Sequence, residues 1–118
     1  MHSHLPNSVN AAQWSTMKGQ QAILTAKVEE ITKHSGMNAF RVTIPGGESK
    51  FITTPSAEAL GQFVGTYADF TGTIADDQTM TDIEDIIPFS EPQDLELCNE
   101  FVNFQHNYRV VLETDHFE

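Results

Sequence analysis

The sequence predicts a small all-β domain, a five-stranded Greek-key barrel with a helix before it and a longer helix after it. Five segments rich in β-branched and aromatic residues lie between residues 21 and 89, separated by turn residues. A helical connector lies between the third and fourth of them, and the segment Asp94–Arg109 has helical periodicity. The chain has 118 residues and 39% hydrophobic composition, which is typical of one folded domain.

A short helix is expected near the start of the chain. Residues 1–8 are expected to form a flexible N-terminus. Asn10 and Gln13 have the spacing of a capping box, in which the first residue caps the helix and the second reaches back to it. We expect this helix to end near Met17, just before a glycine.

The first three strands are expected at residues 21–31, 39–44 and 49–54. In the first strand the alternation of apolar and polar residues changes phase near Ala26 and Lys27, which indicates a bulge or a strong bend. The second strand alternates cleanly and places three apolar residues on one face: Phe40, Val42 and Ile44.

A connector with a short helical turn is expected at residues 56–65, followed by two strands at 67–75 and 80–89. Five strands with a helical connector after the third suit a Greek-key barrel of the OB type. The expected division of the chain is an OB-fold barrel at residues 9–92, a C-terminal assembly helix at 93–109 and a tail at 110–118.

Two apolar stripes run along the predicted C-terminal helix. The first has heptad spacing: Leu97, Phe101, Phe104 and Tyr108. The second lies about a third of a turn away: Leu95, Cys98 and Val102. The remaining face is polar: Glu96, Asn99, Glu100, Asn103, His106 and Asn107. The stripes cover roughly half of the circumference, whereas a helix on one core needs an arc of about 100°.

One stripe is therefore expected to hold the helix on its barrel and the other to bind a partner. We assign the heptad stripe to the partner, although the pattern also allows the reverse, or a core that takes both stripes. All seven apolar residues are candidate interface residues.

The charge of the chain is unevenly placed. The net charge is −11; residues 1–50 carry five basic and three acidic residues, whereas residues 51–118 carry fourteen acidic residues and only Arg109. Nucleic-acid binders usually show a basic footprint, so we expect this chain alone to bind DNA or RNA weakly. The candidate contact surface is the outward face of the first three strands, with four basic residues: Lys27, Lys33, Arg41 and Lys50.

The residue patterns of enzymes and metal sites are missing from the sequence. The five histidines lack ligand spacing, and no nucleotide-binding or hydrolase motif is present. Cys98 is the only cysteine, and its place on the apolar arc predicts a packed thiol rather than a nucleophile. We expect no catalytic residue, metal or cofactor. With no secretory signal or membrane-spanning run, the protein is expected to be soluble and intracellular.

Two segments resemble the family of the smallest subunit of replication protein A. Asp94–Val102, DLELCNEFV, resembles the D-L-x-L-Y-N-E-hydrophobic-V segment that opens the C-terminal helix of that family. Val9-Asn10-Ala11, with Trp14 and Gly19, resembles its opening helix. This chain departs from the pattern in two places: Cys98 replaces an aromatic residue, and Val110-Val111-Leu112 replaces the Phe-Pro segment after the helix.

The resemblance implies an OB fold whose C-terminal helix joins one helix from each of two larger OB-fold subunits in a three-helix bundle. It implies a non-catalytic, nuclear scaffold subunit of a heterotrimer that binds single-stranded DNA mainly through those partners, in replication, repair or telomere maintenance. A telomerase-associated or CST-like telomere complex built on the same plan stays open. So does an autonomous single-strand nucleic-acid binder, which is a different class of protein.

Overall fold

The computed structural model describes residues 7–115, with the side chains of all of them except Glu58 and residues 107–115. The elements in chain order are β1 (Asn7–Ser8), α1 (Ala11–Trp14), a 3-10 turn (Ser15–Met17), β2 (Gln21–His34), β3 (Met37–Thr43), β4 (Ser49–Thr53), a 3-10 connector (Glu58–Phe63), β5 (Tyr67–Ile74), β6 (Thr79–Pro88) and α2 (Leu95–Asp115). Each of the five predicted strands is present.

The five long strands close into a ring in the order β2-β3-β4-β6-β5 and back to β2. β2 closes the ring because it is long enough to pair twice: Gln21–Lys27 pair with β5, and Lys27–His34 pair with β3. Neighbours are antiparallel except β4 and β6, which form a short parallel pair at Phe51–Thr79 and Ile52–Met80. This is the predicted OB-type Greek-key arrangement, and the fold is confirmed.

The predicted bulge of β2 is real but lies further along the strand. Val28 pairs with Val42 and Glu30 pairs with Arg41, so Glu29 is the extra residue. The prediction at Ala26 and Lys27 was wrong because alanine is only weakly hydrophobic. Its presence in the sequence does not show whether that position faces the core or the solvent. Ala26 is fully buried in phase with Val28, so the alternation continues up to the bulge.

A two-residue turn joins β2 to β3. His34 and Met37 are the last pair of the hairpin, and the residues between them, Ser35 and Gly36, have φ values of 53° and 79°. Two positive φ values are the signature of a type I′ turn, whose twist matches that of the flanking strands. Glycine takes this conformation without steric cost, which explains why the turn is built around Gly36.

The core fills the inside of the ring. Phe40, Val42 and Ile44 are fully buried, as the alternation of β3 predicts, and the rings of Phe40 and Phe70 lie 6.3 Å apart at 51°. Each large side chain removed from water in this way contributes roughly 1.5–3 kcal/mol. Trp14, 1% exposed, donates from Nε1 to the Asp76 carbonyl at 2.7 Å and so ties the first helix to the β5–β6 turn.

Both ends of the described chain are more regular than the sequence predicts. Asn7–Ser8 fall within the expected flexible N-terminus but form β1, which pairs in parallel with Ala22 and Ile23 of β2. α2 continues to Asp115 through most of the expected tail, 110–118. Residues 1–6 and 116–118, which complete those two expected segments, lie outside the described residues. No helix in the described range is long and apolar enough to cross a membrane.

Candidate partner interface

α2 rests on the barrel through the second apolar stripe. Asp94 caps its start, because the Leu97 amide donates to Oδ1 of Asp94 at 3.1 Å. Val102 is only 4% exposed, and Leu95 and Cys98 are half-buried. The stripe made of Leu95, Cys98 and Val102 therefore faces the protein's own barrel, as in the preferred assignment.

A buried asparagine fixes the register of α2. Asn10 is 0% exposed, and its Oδ1 accepts from the Gln13 amide at 2.9 Å, which is the predicted helix cap. Its Nδ2 donates to Oδ1 of Asn99 at 2.7 Å and to Oδ1 of Asn103 at 2.9 Å. The two acceptors lie one turn apart on α2, so one side chain binds two successive turns of the helix.

A second polar contact follows further along the helix. Nε2 of His106 lies 3.1 Å from the Ser8 carbonyl oxygen, and since a carbonyl can only accept, the ring nitrogen donates. Asn99, Asn103 and His106 belong to the polar face of the helix, and nothing in the helical spacing predicts that this face lies against the barrel. The only available signal was the cap residue Asn10, whose amide has two further hydrogens to donate.

The heptad stripe of α2 faces away from the barrel, towards solvent. The exposed fractions of its side chains are 62% for Leu97, 59% for Phe101 and 63% for Phe104. The side chain of Tyr108, its fourth predicted member, lies outside those that the structure describes. We call Leu97, Phe101 and Phe104 the outer stripe. Three large apolar side chains in a row on one solvated helix face form the kind of patch that marks an interaction site.

A groove of about 570 Å³ lies beside the outer stripe, between α2 and the outer face of β2. Its apolar walls include Ile23, Pro45, Leu97 and Phe101. Its polar side holds Thr25 and Asp69, neighbours on β2 and β5, with the Thr25 hydroxyl donating to Oδ1 of Asp69. We call this space the helix groove.

The predicted packed thiol lines the helix groove. Cys98 is half-buried there. Burial, together with the nearby carboxylates of Asp69 and Asp94, raises the pKa of the Cys98 thiol above its ordinary value. A raised pKa keeps the sulfur protonated near neutral pH, and the protonated thiol is a poor nucleophile.

The four candidate nucleic-acid residues do not form one basic surface. Lys50 was expected on the outer face, but it points inward and is 8% exposed. Its Nζ donates to the Asp77 carbonyl at 2.6 Å, lies 3.2 Å from Oε1 of Glu48 and stands 5.0 Å from the centre of the Trp14 ring. This prediction was wrong because a lysine stem can cross an apolar rim and bring its charge to acceptors at the end of the barrel.

The other three basic residues lie on the outside. Nε of Arg41 is 2.8 Å from Oε2 of Glu30, so its charge is already partly neutralised. Lys27 is half-buried and Lys33 is exposed. Sequence reasoning missed one aromatic feature of this face, a stack of His34 on Phe51 with ring centres 4.1 Å apart and planes at 8°. Among the residues described, no group of three metal-ligating side chains is arranged around one point.

Comparison with known proteins gives a likeness of fold. No protein-family model matches the sequence, and no curated protein sequence matches it. A chain in the structure of U. maydis replication protein A bound to single-stranded DNA aligns with a TM-score of 0.72 and 18% identity, covering 92% of this chain and 97% of that one. A chain of the S. pombe Stn1–Ten1 complex aligns with a TM-score of 0.62 and 15% identity, covering 90% and 96%.

Both of these chains are nearly as long as this one, since each alignment covers at least nine-tenths of both chains. The expected likeness to replication protein A is therefore confirmed at the level of the fold. Because each alignment leaves out at most about a tenth of this chain, it extends over most of the barrel and at least part of α2.

Proposed function

We propose that this chain is a non-catalytic scaffold subunit of a heterotrimeric, single-stranded DNA-binding complex of the replication protein A type, acting in the nucleus. The outer stripe of α2 would join one helix from each of two larger OB-fold subunits in a three-helix bundle. The observation that carries the proposal is the exposure of Leu97, Phe101 and Phe104 on a helix whose opposite side is fixed to the barrel.

The energetics favour a partner on the outer stripe. Each of its side chains is already about two-fifths buried, so a partner that covers the rest could add roughly 1–2 kcal/mol per side chain. Lost motional freedom on association would take back a large part of that gain. Heptad spacing is the arrangement by which helices pack side by side, so neighbouring helices are the natural cover.

DNA would be bound mainly by the partners. The net charge of −11 repels a polyanion, Lys50 is turned into the barrel, and Arg41 is paired with Glu30. The U. maydis structure, whose fold this chain shares, is of replication protein A bound to single-stranded DNA. The likeness supports a place in such a complex without requiring this chain to supply the DNA contacts.

The test is a double substitution on the outer stripe. In the tagged full-length chain, Phe101→Ser with Phe104→Ser should abolish co-purification of the two larger subunits from the source cells and leave a folded barrel. The matched control is Met37→Ser with Val64→Ser, which removes exposed apolar side chains from the barrel instead (49% and 40% exposed). Unchanged co-purification with the helix variant, while the chain remains folded, would overturn the proposal.

The second candidate is the small OB subunit of a CST-like or telomerase-associated telomere complex. The Stn1–Ten1 likeness favours it, although the TM-score is lower than that of the replication protein A chain. Both candidates use the outer stripe in the same way. Mass spectrometry of the purified native complex separates them, because the two larger subunits differ.

A further inference from the structure

The helix groove contains a carboxylate that has no basic partner among the described side chains. Asp69 accepts from the Thr25 hydroxyl through Oδ1, and none of the described lysine or arginine side chains lies within ion-pair distance of it. Asp69 is half-buried and lines the same space as the apolar side chains of Ile23 and Phe101. A charge held beside an apolar wall is screened less by water than a fully solvated one, so an opposite charge brought to it gains more.

We propose that the helix groove is a specificity pocket for a partner subunit, in which a lysine or arginine of that partner pairs with Asp69 beside an apolar side chain packed on Ile23 and Phe101. The inference rests on the proposed function and adds the chemistry by which the partner is chosen. The outer stripe would supply most of the contact area, and the groove would select the sequence that fits.

The groove is continuous with the outer stripe. Leu97 and Phe101 belong to both, so a helix or chain segment that covers the stripe lies directly beside the groove. The volume of about 570 Å³ lies within the range of ligand pockets, roughly 300–1,000 Å³. An apolar wall with a single carboxylate suits an apolar residue followed by a long basic one, because the stem of a basic side chain is itself apolar.

The charge of the chain argues against the other occupants. A nucleic acid would bring phosphates towards Asp69 and towards Asp94, both of which lie near Cys98, and like charges repel each other. A second copy of this chain would bring a net charge of −11 against a net charge of −11. Of its six basic residues, Lys18, Arg41 and Lys50 already form ion pairs within the chain. A basic segment of a different protein is the complementary partner.

The substitution Asp69→Asn tests the pocket. It removes the charge but keeps an oxygen that can accept from Thr25, so the fold should be retained, which thermal unfolding checks. The matched control is Asp82→Asn on β6. Asp69 pairs with Ile87 of that strand, whereas Asp82 is exposed and lies five residues away from Ile87, where the pairing of β6 with β5 is irregular. Both variants change the net charge equally.

The probe is the pair of larger subunits that co-purify with the tagged chain, re-expressed together and purified. Their Kd for the full chain would be measured at about 50 and about 300 mM NaCl. Asp69→Asn is expected to weaken binding about tenfold at low salt and less at high salt, while Asp82→Asn stays within about twofold of the unmodified chain.

Failure of the pocket proposal and failure of the proposed scaffold function would give different results. If neither variant weakens binding, or if both weaken it equally, the pocket is overturned and the scaffold role stands, because overall charge would then explain any effect. If the unmodified chain binds no larger subunit, the scaffold role itself fails and the pocket fails with it.

Discussion

Nδ2 of Asn10 lies 2.7 Å from Oδ1 of Asn99, although 89 residues separate them in the chain. The same nitrogen also reaches Oδ1 of Asn103 at 2.9 Å, and the oxygen of the Asn10 side chain caps α1. One fully buried amide thus connects the start of the fold to its last helix. Because the bonds are directional, they fix the rotation of α2 and so decide which of its stripes faces solvent.

Replacing Asn10 should therefore lower the free energy of unfolding. Asn10→Ala removes the cap of α1 and leaves two helix oxygens without their donor, and we expect a loss of roughly 2–4 kcal/mol in the free energy of unfolding. Urea unfolding followed by circular dichroism measures it. Asp94→Ala, which removes only the cap of α2, should cost about 1 kcal/mol.

A double-mutant cycle isolates the bond to the helix. Asn103→Ala alone should cost less than Asn10→Ala, and the two should not add, with a coupling energy of about 0.5–3 kcal/mol. Simple additivity would mean that Asn10 acts only as a cap and does not hold α2.

Lys50 is predicted to stabilise the fold rather than to bind nucleic acid. Its ammonium group bonds the Asp77 carbonyl and lies close to Glu48, so Lys50→Met should lower the free energy of unfolding by about 1–3 kcal/mol. The exposed Lys33 offers the control, since Lys33→Met should stay within about 0.5 kcal/mol. Equal stabilities of the two variants in chemical unfolding would contradict the role.

The isolated chain should bind single-stranded DNA poorly. Titration of a labelled oligonucleotide, followed by fluorescence anisotropy, should give a Kd weaker than about 1 µM at about 150 mM NaCl, because the net charge of −11 opposes phosphate binding. The exposed face that could still contribute is the His34–Phe51 stack next to Arg41. Micromolar or tighter binding that depends strongly on salt and is lost in Phe51→Ala would favour an autonomous binder instead.

Cys98 should react slowly with alkylating agents. Burial and the carboxylates of Asp69 and Asp94 raise its pKa, so at about pH 8 the folded chain holds less thiolate, the reactive form, than the urea-unfolded chain. As the pH rises the unfolded chain loses its thiol proton first, and the midpoint of the rate profile should lie at higher pH for the folded chain. The pH profile separates this effect from simple shielding, which lowers the rate without moving the midpoint.

Two variants check the cause of the raised pKa. Asp94→Asn should shift the midpoint of Cys98 alkylation towards lower pH, since it removes one of the two nearby negative charges. Glu48→Gln, at a residue that pairs with Lys50, should leave the midpoint unchanged. Coincident midpoints for the folded and unfolded chains would contradict the assignment.

Much of the fold could be predicted because strands and helices produce a regular spacing of apolar residues within a short stretch of sequence. A strand alternates its faces every second residue, so Phe40, Val42 and Ile44 identify a core face without knowledge of any neighbour. The helix spacing likewise separates the stripe of Val102 from that of Phe101, although it does not say which one is covered. The bulge was misplaced because its position depends on the pairing of β2 with β3, which involves residues of two strands.

The candidate site could be predicted only in part. The apolar residues of α2 were identified, and their separation into two stripes is matched by burial on one side and exposure on the other. Their binding to a partner remains a proposal. The helix groove was not foreseen, because its two walls, around Ile23 and Phe101, come from segments nearly eighty positions apart in the sequence.

By itself the sequence determined the five strands, the cap at Asn10 and the two stripes of α2, because all of these follow from the geometry of a short stretch of backbone. Only the tertiary structure decided that Asn99 and Asn103 face the barrel and that Lys50 turns inward. The direction of a polar side chain depends on the donor or acceptor that meets it, and in this protein that group comes from a distant part of the chain.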